Sequence, residues 1–232
     1  MTTGQIPVLS PDAIDDYLAR LGVDERPTPT LEMLRVLHTA HLHRVPFENL
    51  DIHLDRPITL DVDGFIDKIV RDRRGGFCYE LNGAFASLLR SLDYGVELLE
   101  ARVHGPDGLG IRFDHLALRV RTSDGVTLLA DVGFGDSFDE PLPWTFDEDL
   151  VDPNGTFRLV EVDDTAVDLL RSDEPSYRLF VRPLDLAAFA PGCEFHQSPA
   201  SHFAANTVIS RRTPDGRVTV RGLTLIRTFG DE

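Results

Sequence analysis

The chain has 232 residues, 42% of them hydrophobic, and a formal net charge of −16, enough apolar content for one large domain or two to three tightly joined small ones. That charge disfavours nucleic acid or an anionic membrane surface as the main partner, while leaving open a small anionic cofactor held by a few local donors. With no bilayer-length apolar run, no signal-type N-terminus and only Cys78 and Cys193 as thiols, the chain reads as cytoplasmic, without a disulfide framework or a cysteine zinc site.

The first part has helical periodicity. Ser10 as N-cap and Pro11 in the first turn open a helix through Leu21, stopped by Gly22. Thr30 opens a second helix that ends before Pro46, and a third is expected from about Val62 to Val70. A fourth begins near Cys78, after Gly75 and Gly76, and runs to about Leu92. From Gly95 the period changes. The runs VELLEARV, HLALRVRT, VTLLADVGF, TFRLVEV and YRLFVRP are short, rich in Val, Leu and Phe, and separated by Gly, Asp and Pro clusters, as antiparallel strands are. A less regular stretch, LDLAAFAPGCEFHQSP, leads to a final hairpin in which HFAANTVISR and RVTVRGLTL flank Thr213 to Gly216. Helices first and strands second predict an α+β fold.

The chemistry concentrates in RDRRGGFCYELNGAFASLL. A cysteine after a glycine pair, at a helix start, meets unpaired backbone N–H groups and the helix dipole, which lower a thiol pKa. The glycines would also let a substrate carbonyl approach the backbone, with the N–H of Cys78 or Tyr79 as oxyanion donor. A buried structural thiol is the competing reading. Downstream, His115 opens one strand and Asp131 closes the next, so both fall at the same end of an antiparallel pair. Asp131 is expected to hold the imidazole through Nδ1, leaving Nε2 to face the thiol. Cys78, His115 and Asp131 in this order suggest a papain-like or transglutaminase-like core, with either water or an amine as the final acceptor.

Other candidates are weaker. His38, His41 and His43 share a helix end, but no carboxylate completes a metal set, so no metal site is expected and surface packing is the reading. Cys193 reads as structural. Arg211, Arg212 and Arg217 flank the last turn and read as solvated. Phe134, between Gly133 and Gly135 at a strand end, suggests a ligand-shaped loop.

Six motifs, in order, resemble those of the arylamine N-acetyltransferases: VPFENL (Val45 to Leu50), RGGFCYELN (Arg74 to Asn82), DHLALRV, DVGFG (Asp131 to Gly135), GTFRL (Gly155 to Leu159) and SPASHF (Ser198 to Phe203). The resemblance implies a helical bundle over 1–93 carrying the nucleophile, a β-barrel over 94–184 carrying His115 and Asp131, and a C-terminal α/β lid over 185–232. Because family members typically run on further, that lid is expected to be reduced. The implied activity is ping-pong transfer of an acetyl group from acetyl-CoA, as co-substrate, through a Cys78 thioester to an arylamine, arylhydrazine or hydroxylamine. The resemblance also makes Phe47, Phe134 and Phe203 acceptor-pocket residues, with Phe134 and Gly135 touching the coenzyme. The short C-terminus leaves room for an amide synthase that takes its acyl group from an acyl carrier protein, and a cysteine hydrolase or transglutaminase would share the core.

Overall fold

The structure, a computed structural model, describes residues 6–229. Helix α1 (Pro11–Leu21) begins at Ser10, whose Oγ accepts the Ala13 N–H, and ends at Gly22 with φ 69°, a left-handed conformation that glycine adopts without strain. Thr30 caps α2 (Leu31–Arg44) in the same way through Met33 N–H. A two-residue strand, β1 (Phe47–Glu48), and a short helix, α3 (Leu50–His53), follow. Helix α4 (Val62–Ile66) widens into a π turn over Asp67–Arg71. The fourth expected helix is α5 (Cys78–Ser91), almost wholly buried.

The strands are β2 (Gly95–Gly105), β3 (Gly108–Leu109), β4 (His115–Arg121), β5 (Thr127–Ala130), β6 (Leu142–Pro143), β7 (Leu150–Asp152), β8 (Gly155–Asp163), β9 (Ala166–Arg171) and β10 (Glu174–Leu184). They form one antiparallel sheet in the order β6-β5-β4-β2-β10-β9-β8-β7, with β3 on β2. The sheet curls into a nearly closed barrel. Asp152 in β7 accepts the Asp139 and Glu140 N–H groups just before β6, tying its two edges together. Alternation along β4 serves two cores. Leu116, Leu118 and Val120 pack with α5 and the other helices, whereas Ala117 joins Leu99, Phe157 and Tyr177 inside the barrel. Strand β9 was not anticipated, because the acidic pair Asp163-Asp164 and the polar turn after Arg171 hide a short inward stripe of Val167 and Leu169.

The C-terminal segment differs from expectation in three places. The stretch expected to be irregular is a 3-10 turn (Leu186–Phe189) running into α6 (Ala190–Gln197), with Pro191 tolerated in its first turn. The segment HFAANTVISR starts as α7 (His202–Ala205) before becoming β11 (Val208–Thr213). The final hairpin is a three-stranded meander, since Gly222 at φ 57° turns the chain between β12 (Gly216–Arg221) and β13 (Thr224–Phe229). This meander joins β1 in the order β1-β11-β12-β13. Among the described residues no helix is long and apolar enough to cross a membrane.

Candidate active site

Cys78 is the first residue of α5, and the turn before it is fixed by its own neighbours. The Phe77 N–H donates to Glu80 Oε2 at 3.1 Å. The two glycines are required by close chain packing. A Cβ at Gly75 would collide with the Pro46 carbonyl, and one at Gly76 would lie 2.8 Å from Glu80 Cβ. Their backbone pairs with β1: Glu48 N–H donates to Gly76 O at 2.8 Å, which brings Phe47 beside the nucleophile loop.

Glu80 belongs to a buried ionic cluster beneath that loop. Lys68 Nζ donates to Glu80 Oε1 and pairs with Asp51 Oδ2, both at 2.7 Å, while Arg74 binds Glu48 and Asp51 at 2.8 and 2.7 Å. Burial pushes the Glu80 carboxyl up to about 7, with Lys68 and the Phe77 N–H opposing it.

His115 and Asp131 meet as the strand register requires. Leu118 pairs with Ala130, so Asp131 lies opposite Ala117, on the face that carries His115. His115 Nε2 donates to Asp131 Oδ2 at 2.7 Å. The expected nitrogen was Nδ1, so the assignment is reversed: Nε2 makes the bond to Asp131, and Nδ1 is the ring nitrogen not engaged by it. Both side chains are buried, and Asp131 is saturated. Oδ2 also accepts from Tyr177 Oη at 3.1 Å, and Oδ1 accepts from Asn82 Nδ2 at 2.8 Å and Gly133 N–H at 3.0 Å. Burial alone would raise the Asp131 carboxyl, but His115, Asn82 and the Gly133 N–H together hold it below its ordinary value.

Cys78 behaves otherwise than the helix dipole suggested. Burial pushes its thiol well above the ordinary value, Cys193 and Asp131 add to the effect, and the Leu116 backbone offsets only part of it. Desolvation of a lone thiolate outweighs the helix terminus here.

Cys78 and His115 line one cavity of about 510 Å³, together with Phe47, Phe134, Gly135 and Phe203. The residues expected for catalysis and ligand binding thus converge on one cavity, apart from Asp131, which stands behind His115. The Phe134 ring packs edge-on to His115 at 5.2 Å, and Phe47 and Phe203 lie 5.9 Å apart. The meander supplies a further wall that mixes polar and apolar side chains. One rung of the meander, Phe47, Ser210, Thr219 and Ile226, faces the cavity, flanked by Arg217 and Arg221. A larger cavity, about 640 Å³, opens among Arg90, Arg119, Arg121 and Leu184 and contains none of these residues.

Several side chains were misread from the sequence. Arg212 is buried and bonds Asp139 Oδ2 at 2.5 Å, and Arg217 pairs with Asp136 and donates to Gly135 O at 3.0 Å; neither is a solvated turn residue. His38 and His41 are fully buried, not at the surface: His41 Nε2 bonds Tyr17 Oη at 2.9 Å, and His38 bonds the backbone of Asp131 and Asp139. Cys193 is buried against Ile58 O, as a structural thiol. Asn82 lies four residues after Cys78 and so on the same helix face, a signal the sequence does contain. Tyr177 and His38 carry no such local signal.

Comparison with known proteins bears on the family. The family model described as N-acetyltransferase matches residues 30–232. The arylamine N-acetyltransferase / N-hydroxyarylamine O-acetyltransferase of Salmonella typhimurium is 35% identical over 207 residues, covering 86% of this chain and 73% of that protein. A solved structure of arylamine N-acetyltransferase from Salmonella typhimurium superposes with TM-score 0.88 at 31% identity, covering 97% of this chain and 83% of that one. That of Mycobacterium marinum, in complex with CoA, gives TM-score 0.84 at 29% identity over 91% of this chain and 82% of that one. The chain belongs to the N-acetyltransferase family.

Proposed function

We propose that the protein moves an acetyl group from acetyl-CoA, through a thioester on Cys78, to an arylamine, arylhydrazine or hydroxylamine. The observation that carries the reading is the Cys78 and His115 pair lining one aromatic cavity, with His115 bonded through Nε2 to a saturated Asp131. The names of the relatives, and the CoA held by the Mycobacterium marinum protein, support both substrates. The division of labour follows the chain: residues 1–93 bring the nucleophile, 94–184 the base and its partner, and 185–232 Phe203 and the meander wall of the cavity.

In the first half-reaction His115 Nδ1 takes the thiol proton and Sγ attacks the thioester carbonyl. The carbon–sulfur bond to CoA breaks, and the imidazolium returns the proton to the departing CoA sulfur. In the second, the amine nitrogen attacks the Cys78 thioester, imidazole takes the nitrogen's proton, and that proton returns to Sγ as the bond breaks. Burial makes a lone thiolate costly at Cys78, so the proton passes to His115 and is not lost to water. Asp131, kept ionised, stabilises the imidazolium. The first-turn N–H groups of Cys78 and Tyr79 serve as oxyanion donors. Phe47, Phe134 and Phe203 hold the acceptor ring, and Phe134 with Gly135 borders the coenzyme.

Initial rates with acetyl-CoA and an arylamine varied together test the reading. Parallel double-reciprocal lines are expected. Intersecting lines, or free acetate released at the same rate without amine, count against it.

A further inference from the structure

The segment 131–139 carries both the proposed triad carboxylate and Phe134, and its two ends are held by one buried imidazole. His38 Nε2 lies 3.1 Å from Asp131 N, and His38 Nδ1 lies 2.9 Å from Asp139 O. A backbone N–H only donates and a carbonyl only accepts, so the geometry fixes the ring state: Nδ1 bears the proton and Nε2 is bare. The ring cannot turn away. Phe138 stacks on it at 5.6 Å with 13° between planes, and Phe85 meets it edge-on at 6.1 Å. Thr39 Oγ1 donates to the same Asp139 carbonyl at 3.2 Å.

We propose that His38 is a positioning residue for acyl transfer, a neutral clasp whose Nε2 sets the main chain of Asp131 and whose Nδ1–H anchors the far end of the loop carrying Phe134. The proposal rests on the reading of Asp131 as the orienter of His115. The carboxylate of Asp131 has its partners from the Asn82, Tyr177, Gly133 and His115 side, whereas its backbone N–H has His38. Without that acceptor a buried donor is left unpaired, and the residue that aims the imidazole loses its fixed origin. Helix α2 thereby reaches into the reaction without touching substrate.

Single-turnover acetylation of Cys78 by acetyl-CoA, in the full chain, separates this role from ordinary core packing. Glutamine can place an acceptor oxygen where Nε2 sits, whereas asparagine places its polar atoms only where Nδ1 sits. H38Q is expected to acetylate within about threefold of the parent rate and H38N about tenfold or more slowly, with KM for acetyl-CoA changed less than about twofold in both. Equal rates in the two variants, at whatever melting temperature, overturn the proposal. A second measurement needs no variant: ¹⁵N spectra of the parent protein should show His38 as the neutral Nδ1–H tautomer, and the Nε2–H tautomer overturns it. C78A is the control: acetylation persisting there overturns the nucleophile assignment, and the clasp with it, whereas a silent C78A beside equal H38Q and H38N rates overturns the clasp alone.

Discussion

His115 meets Asp131 through Nε2, at 2.7 Å, and the same carboxylate accepts from Tyr177 and Asn82. An asparagine at 131 keeps the size but presents one donor where two acceptors are needed, inviting the wrong imidazole tautomer. D131N is therefore expected to fold and to lose roughly a thousandfold or more in kcat/KM. A loss under tenfold, measured by steady-state kinetics, would remove Asp131 from the orienting role.

Cys78 alkylation reports the thiol's protonation directly. With His115 present, iodoacetamide should react at a rate that stays high well below about pH 8.5, the free-thiol value. In H115N the proton has no local acceptor, so the burial that raises the Cys78 thiol is left unopposed by any imidazole. The variant's rate should then rise only above that ordinary range. Superimposable profiles for parent and variant would contradict the pairing.

Gly133 has no room for a side chain. A Cβ there would lie 2.7 Å from Asn82 Nδ2 and 2.8 Å from Cys78 Cα, so the strand end and α5 would have to part. G133A should cost about 1–3 kcal/mol by denaturant unfolding. It should lower the acetylation rate of Cys78 as well. Unchanged stability would mean that the strand and helix yield freely at this contact.

Glu80 offers a pH test of the cluster under the loop. Its folded pKa is pushed up to about 7 by burial, above the ordinary carboxyl value. Between the two values the folded chain keeps a proton that the unfolded chain has released, so this group lowers stability as pH rises across that window. E80Q keeps an acceptor for the Phe77 N–H but cannot titrate. Its stability should change less with pH between about 4.5 and 7 than the parent's, as read from urea midpoints. An identical slope in the two proteins would locate the titration elsewhere.

Much of this site was legible in the sequence because it rests on local rules. Ser10, Thr30 and Gly22 are end signals that fix α1 and α2, and the turn between β4 and β5 sets the register that joins His115 to Asp131. What escaped reading depends on contacts far apart in the chain. The choice of Nε2 over Nδ1 follows from where Asp131 stands relative to the ring. The packing of Gly75 depends on Pro46, and that of Arg212 on Asp139. The thiol of Cys78 shows the same limit: a helix N-terminus is visible in sequence, whereas the desolvation that outweighs it is a property of the packed core. His38 is the extreme case, since an imidazole at a helix end carries no mark of the backbone groups it joins, 93 and 101 residues away.

Intact-mass measurement after incubation with acetyl-CoA, without acceptor, is the decisive test of Cys78 as the acetyl carrier. The parent chain should gain one acetyl group, discharged on adding an arylamine, and C78A should gain none. An acetyl adduct persisting in C78A, or a parent chain that transfers acetyl to the amine while never gaining that mass, would contradict it.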